Sequence, residues 1–246
     1  MSRQTSNKKV VVVLPAYNAA KTLKRVLEDL SMDWVDNIIL VDDASRDNTV
    51  ELSRSLGLKT CVHEKNAGYG ANQKTCYKNA LAENADIIVM LHPDHQYDPK
   101  SVPEIIGPLA RGEADAVFGS RMMIRSNALK GGMPRWKFAA NVFLTFVENL
   151  ILGLDLTEYH SGFRAYSADL LKTVAFEKNS NNFVFDTEII VQIKLAGRRI
   201  TEIPILTYYF PEASMIGFWR SVQYGLAILK VMGRYLLHKA KIKKFS

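Results

Sequence analysis

The first half of the chain repeats one hydropathy pattern. A short unbroken apolar run is followed by a knot of polar residues, then by a segment whose apolar positions recur at helical spacing. The runs "VVVVLP", "NIILVDDAS", "KTCVHE", "IIVML" and "ADAVFGSR" predict five strands, the third weaker than the rest. Apolar runs without alternation belong to strands covered on both faces. Leu23, Val26, Leu27 and Leu30 share one helical face, and further helices are predicted over residues 48–56, 71–83 and 102–110. This alternation specifies an α/β fold with a mostly parallel central sheet and helices on both faces. Ligands of such sheets sit beyond the carboxyl ends of the strands.

The chemistry-bearing residues fall at those ends: Tyr17 and Asn18, Asp42 and Asp43, Asp94 and Gln96, Ser120 and Arg121. The second half is less regular. Helices are predicted over residues 136–152 and 188–195, with "HSGFRAY" between them given no element, and "RITEIPILTYY" reads as a strand.

In "HPDHQ", side-chain alternation along an extended chain points His92, Asp94 and Gln96 the same way. A carboxylate and an amide suit Mg²⁺ or Mn²⁺ beside the phosphates of a nucleotide, and His92 tilts the preference toward Mn²⁺. The same residues also fit a solvated loop stiffened by Pro93 and Pro99. In "LVDDASRDNT", Asp42 and Asp43 leave a strand either as ligand contacts or as turn anchors, with Asp47 as a helix cap. "NAGYGANQ" is either a phosphate-cradling loop at Gly68 and Gly70 or a plain turn. It matches neither the dinucleotide glycine pattern nor the P-loop.

Composition adds a compartment and a partner. The 246 residues, 48% hydrophobic and 23% charged, fit one large domain with a tail. Cys61 and Cys76 make no disulfide framework, and the opening residues lack the apolar core of a signal peptide, so the expectation is a cytoplasmic protein. The formal charge is +7, and seven of the 32 basic side chains lie in residues 213–246 with no acidic one, leaving 25 of each sign in residues 1–212. A neutral body argues against nucleic acid as a partner, and a basic tail argues for an anionic membrane surface.

Six fragments together carry a family resemblance. "LPAYNAAKTL", "ILVDDASRDNT", "NAGYGAN", "HPDHQ", "FGSR" and "SGFRAY" stand in the order and rough spacing of the family 2 inverting glycosyltransferases. Within that family the chain most resembles the dolichol-phosphate and other polyprenyl-phosphate sugar transferases. The resemblance spans roughly residues 9–210 and implies a Rossmann-like GT-A fold with a nucleoside-diphosphate-sugar donor. By analogy, Pro15, Tyr17 and Asp43 line the nucleobase and ribose pocket with Asp42 nearby. Asp94 and Gln96, with His92, would hold the Mg²⁺ or Mn²⁺ that bridges the diphosphate. Arg121, Arg135 and Arg164 would grip the acceptor phosphate, a task that suits the planar guanidinium fork. Asp94, Arg121 and Arg164 are thus the expected catalytic residues. Two departures stand out: Ala19 occupies a position that is usually acidic in the family, and His92 stands where its metal motif usually opens with Asp.

A lipid phosphate already carries a nucleophilic oxygen, whereas a sugar hydroxyl needs a base. Asp186 and Glu188 are the carboxylates available for that role, and the Q-x-x-R-W motif of processive synthases is absent. The expected reaction is therefore transfer of one sugar to a polyprenyl phosphate at the inner membrane face. The alternatives are transfer to a saccharide hydroxyl in cell-surface glycan synthesis, and a nucleotide-sugar-binding homologue without activity.

The expected organisation is a catalytic domain over residues 1–212 and a basic amphipathic helical tail over 213–246. In the tail, Arg220, Gln223, Ala227, Lys230, Arg234, His238 and Lys241 form one narrow stripe, and the rest is largely apolar. Residues 216–244 then lie on an anionic membrane as an in-plane helix, or pack on the catalytic domain or on a second copy in a homo-oligomer.

Overall fold

The computed structural model describes residues 7–207 and 217–245. The strands are β1 (Val10–Ala16), β2 (Asn37–Asp42), β3 (Lys59–Val62), β4 (Ile87–Met90), β5 (Ala116–Ser120), β6 (Arg164–Ser167) and β7 (Ile200–Pro204). The helices are α1 (Leu23–Asp29), α2 (Thr49–Ser55), α3 (Tyr69–Ala82), α4 (Val102–Ala110), α5 (Arg125–Lys130), α6 (Arg135–Leu152), α7 (Ala168–Thr173), α8 (Phe185–Leu195) and α9 (Phe218–Lys239). The expected division at residue 213, and the last residues of the predicted strand "RITEIPILTYY", lie outside the described residues.

The strands form one sheet in the order β3-β2-β1-β4-β6-β5-β7. Strand β1 pairs in parallel with β2 and with β4, and β5 pairs in parallel with β7. Both faces are covered, which explains the unbroken apolar runs. Val11 and Val13 pack with Tyr77 of α3 and Ile189 of α8 on one side. Val10, Val12 and Leu14 pack with Val26 of α1 and Ile105 of α4 on the other.

One strand departs from the parallel pattern. β6, from the unassigned "HSGFRAY" segment, lies antiparallel between β4 and β5, with Ala165 opposite both Val89 and Val117. Because it runs against its neighbours, its leading loop arrives at the sheet edge where they end. Residues 158–163 are thereby placed beside the ends of β4 and β5.

Helix α9 shares the core, burying Ile228, Val231, Met232 and Tyr235. It packs against α6 and α8, and Arg234 donates to Glu188 of α8 at 2.7 Å. At 100° per residue, α9 has three faces. One is buried; one carries Arg220, Lys230, Arg234 and His238; the third is apolar and outward, with Trp219, Val222, Leu226, Leu229 and Leu237 exposed. Helix α6 turns a similar stripe outward through Trp136, Phe143, Phe146 and Leu150. The two stripes meet where Trp136 stacks edge-on against Phe218 at 5.3 Å. Among the described residues, no helix is long and apolar enough to cross a membrane.

Candidate active site

At the end of β1, Pro15 is the penultimate strand residue and Tyr17 stands open to solvent. Asn18, at a left-handed φ of 53°, turns the chain. Its Oδ1 accepts from Arg46 N at 2.8 Å and its own N donates to Ser45 Oγ at 2.8 Å. Ala19 is buried in the core, and its N donates to Thr49 Oγ1 at 2.8 Å. Asp47 accepts from Ala20 N at 3.1 Å and from Thr49. Asp47 thus ties the start of α2 to the turn after β1.

Asp42 and Asp43 are both buried and both engaged by the backbone. Asp42 Oδ2 accepts from Ser45 N at 2.8 Å and fixes the turn after β2. Asp43 accepts from Ala67 N at 2.8 Å and Gly68 N at 3.0 Å, and lies 2.7 Å from His63 Nδ1. The "NAGYG" loop is thus moulded around Asp43. Gly68 passes through φ 98°, a conformation open to glycine, before α3 starts.

The strand alternation assumed for His92, Asp94 and Gln96 does not hold. β4 ends at Met90, and His95 adopts φ 58°. His95 turns outward to Asp29 at 2.9 Å, while Asp94 Oδ1 accepts from Gln96 N at 3.1 Å in a tight side-chain turn. The His92 ring stacks on Tyr69 at 5.6 Å, and its Nε2 is buried without a hydrogen-bond partner. That nitrogen faces Gly162, where a Cβ would come within 2.7 Å. Burial lowers the His92 pKa and so favours the neutral ring. Among the described residues, no three His, Cys, Asp or Glu side chains are placed to share a metal ion. The arrangement still fits a hard cation held by one carboxylate and by phosphate oxygens, with Asp94 as that carboxylate and Gln96 beside it.

The arginines are placed differently from expectation. Arg164 is a core residue, 1% exposed. It donates to Ser161 O and Tyr159 O, each at 2.7 Å, and to Asp186 O at 3.2 Å, and it lies over the Phe118 ring. Its guanidinium pairs with Asp186 at 3.6 Å. These contacts brace the loop before β6 against α8 and hold the guanidinium inside the core, where its donors are taken by backbone carbonyls. Arg121 is buried against Glu158, donating through Nε at 2.8 Å, and Asn141 donates to the same carboxylate at 2.7 Å. Arg135 opens α6 as an exposed cation.

Two buried clusters join residues far apart in the sequence, and only Asp186 and Glu188 among them were expected candidates. Asp186 accepts from Tyr69 Oη at 2.8 Å and from Gln73 Nε2 at 3.1 Å, so both oxygens are occupied. Glu188, two residues on, turns elsewhere and accepts from Ser180 N at 2.5 Å and from Arg234. In the second cluster, Glu148 of α6 lies 3.3 Å from His160 Nε2. Neither Glu148 Oε2 nor His160 Nε2 has a hydrogen-bond partner among the described residues. Burial pushes the Glu148 carboxyl well up and the His160 ring down to about 3. The two shifts favour a neutral acid beside a neutral imidazole, so that neither buried atom carries an unpaired charge.

A Rossmann-like sheet with an aspartate-anchored corner, a glycine-turned loop and a carboxylate turn along one strand edge has the layout of a GT-A nucleotide-sugar transferase. The family model described as glycosyl transferase family 2 matches residues 11–175, and the chain belongs to that family. It is 31% identical to a UDP-N-acetylglucosamine–dolichyl-phosphate N-acetylglucosaminyltransferase of Methanococcus voltae, over 94% of this chain and 99% of the relative. It is 26% identical to an undecaprenyl-phosphate mannosyltransferase of Micrococcus luteus, over 80% of this chain and 82% of the relative. Among solved structures, glucosyl-3-phosphoglycerate synthase from Mycobacterium tuberculosis with Mn²⁺, UDP and glucosyl-3-phosphoglycerate matches with a TM-score of 0.69 at 19% identity. It covers 96% of this chain and 81% of that one. That likeness is one of fold. The protein is a family 2 glycosyltransferase that resembles the polyprenyl-phosphate sugar transferases.

Proposed function

We propose that the protein moves one sugar from a nucleoside diphosphate sugar to a polyprenyl phosphate, with inversion, at the inner face of a membrane. The observation that carries the choice of acceptor is the engagement of Asp186 and Glu188. One is bound by Tyr69, Gln73 and Arg164, the other by Ser180 and Arg234, so neither is placed to deprotonate a sugar hydroxyl. A phosphate acceptor needs no such base. The relatives named for dolichyl and undecaprenyl phosphate support the same reading.

In this account an acceptor phosphate oxygen attacks the anomeric carbon from the face opposite the donor diphosphate. The bond to the diphosphate oxygen breaks, and its electron pair leaves with the nucleoside diphosphate. Pro15 and Tyr17 line the base and ribose side. Asp42 and Asp43 act there by shaping the corner and the loop over residues 63–68. Asp94, with Gln96, is where Mg²⁺ or Mn²⁺ would be held, and the ion would supply positive charge to the diphosphate. Arg135 contributes positive potential for the acceptor phosphate, while Arg121, its charge balanced by Glu158, holds the loop before β6 through His160 O. The outward stripes of α6 and α9, with the cations of residues 216–244, hold the enzyme on an anionic membrane surface.

The test is a competition. Labelled nucleotide sugar is offered with a short polyprenyl phosphate and an equal concentration of oligosaccharides, and the products are partitioned between butanol and water. Label in butanol supports the lipid phosphate; label on the saccharides, with none in butanol, overturns it.

A further inference from the structure

After α9 the chain reverses. Lys241 adopts φ 60°, Phe245 N donates to His238 Nδ1 at 3.0 Å, and the Phe245 ring is buried under the Arg234 guanidinium at 4.8 Å. Phe245 joins the main core, so the reversal is a built feature rather than a trailing end. Its effect is to carry Lys243 and Lys244 back beside Lys230 and Arg234, where the four side chains line one cavity of about 320 Å³. Arg234 is already committed to Glu188. Among the described residues, Lys230, Lys243 and Lys244 have no carboxylate partner. Gathering like charges round one cavity is unfavourable unless an anion joins them.

The cavity's position narrows the class of anion. On α9, Lys230 and Arg234 lie between the buried face and the outward apolar stripe, next to Leu226 and Leu237, which are 62% and 41% exposed. Ile242, 72% exposed, precedes the two lysines of the reversal. A helix with its apolar stripe in the headgroup–acyl boundary keeps a flanking basic edge at the level of the lipid phosphates. We infer that the Lys230–Arg234–Lys243–Lys244 cavity is a binding site for the phosphate headgroup of an anionic membrane phospholipid. It is a site separate from the acceptor-phosphate site, and it fixes the depth and rotation of α9 on the bilayer. The inference rests on the proposal that this face meets a membrane.

The experiment is vesicle co-sedimentation of the full chain, with neutral phosphatidylcholine vesicles and with vesicles containing phosphatidylglycerol. The variant K230S/K243S/K244S is compared with K172S/K178S/K194S, which removes the same charge elsewhere. At about a fivefold effect per lysine near an anionic surface, the cavity variant is expected to bind phosphatidylglycerol vesicles on the order of a hundredfold more weakly. The control variant should lose much less, and binding to neutral vesicles should persist in all three proteins. Equal losses in the two variants, or none in the cavity variant, would overturn the site. So would displacement from the vesicles by millimolar inorganic phosphate at constant ionic strength, since that would make it a free-phosphate site. Transfer to a short-chain polyprenyl phosphate, read without vesicles, is the separate check on the reaction. Its absence in the wild type counts against the proposed chemistry and leaves the headgroup result to stand or fall by sedimentation.

Discussion

Glu158 holds Arg121 through both oxygens: Oε1 accepts from the guanidinium Nε at 2.8 Å and from Nη2, and Oε2 accepts the backbone N–H of the same residue at 2.7 Å. Both side chains are buried. Burial alone would raise the carboxyl's pKa, but the charge and hydrogen bonds of Arg121 outweigh it and leave the pKa lowered. Removing one partner strands a buried charge, at about 3–5 kcal/mol. Glu158→Ala is therefore expected to lower stability by that amount in urea unfolding, and a change under about 1 kcal/mol would contradict the geometry. The pair's contribution is present above the ordinary glutamate value of 4.5 and is lost as pH falls through the lowered folded value.

Glu148 predicts the opposite slope. Between 4.5 and its raised folded value, the buried Glu148 keeps a proton that the unfolded chain has released, so stability falls as pH rises through that window. His160, lowered from 6.5 to about 3, acts only on the acid side: stability falls as pH drops below 6.5. Glu148→Gln keeps a donor for His160 Nε2 without the ionisation. Its melting temperature should exceed that of the wild type by a margin that widens as pH rises above 6.5, and parallel curves would contradict the raised Glu148 value.

Asp94→Asn tests the cation assignment. It should leave the circular dichroism and melting temperature unchanged while reducing Mg²⁺- or Mn²⁺-dependent transfer by more than the roughly 10–100-fold typical of outer-shell changes. Undiminished activity would remove Asp94 from that role.

The tail has a packing role that sequence could not separate from a membrane role. Deleting residues 216–246 would strip Ile228, Val231, Met232 and Tyr235 from the core, so the truncated protein is expected to unfold or aggregate. Leu226→Asp with Phe146→Asp changes only the outward stripes, where these residues are 62% exposed in each case. The double variant should keep its stability and lose vesicle binding. Retained binding would place the membrane contact elsewhere.

What was legible in the sequence followed from burial. β1, β2, β4 and β5 are covered on both faces, and their apolar runs announced them. β6 did not, because its four residues mix Arg164 and Ser167 with two others, and its place between β4 and β5 depends on pairing no local pattern encodes. The strand-end positions of Asp42, Asp43, Asp94 and Arg121 were readable, since the pattern fixed where strands stop. Their orientations were not. Which carboxylate meets which arginine is decided by the antiparallel insertion, which gives Glu158 to Arg121 and Asp186 to Arg164. Of the expected basic stripe, Arg220, Lys230, Arg234 and His238 share one face of α9, but Lys241 lies beyond the helix in the chain reversal, and the apolar remainder is two faces, one buried and one open.

The most direct test of the account is reconstitution of purified protein with a short polyprenyl phosphate, Mg²⁺ or Mn²⁺ and a panel of nucleotide sugars, read by mass spectrometry. The account predicts a lipid ion heavier by one sugar residue, with one nucleoside diphosphate released per lipid converted. Release of nucleoside diphosphate with the sugar recovered on a saccharide or on water, and no glycosylated lipid, would contradict it.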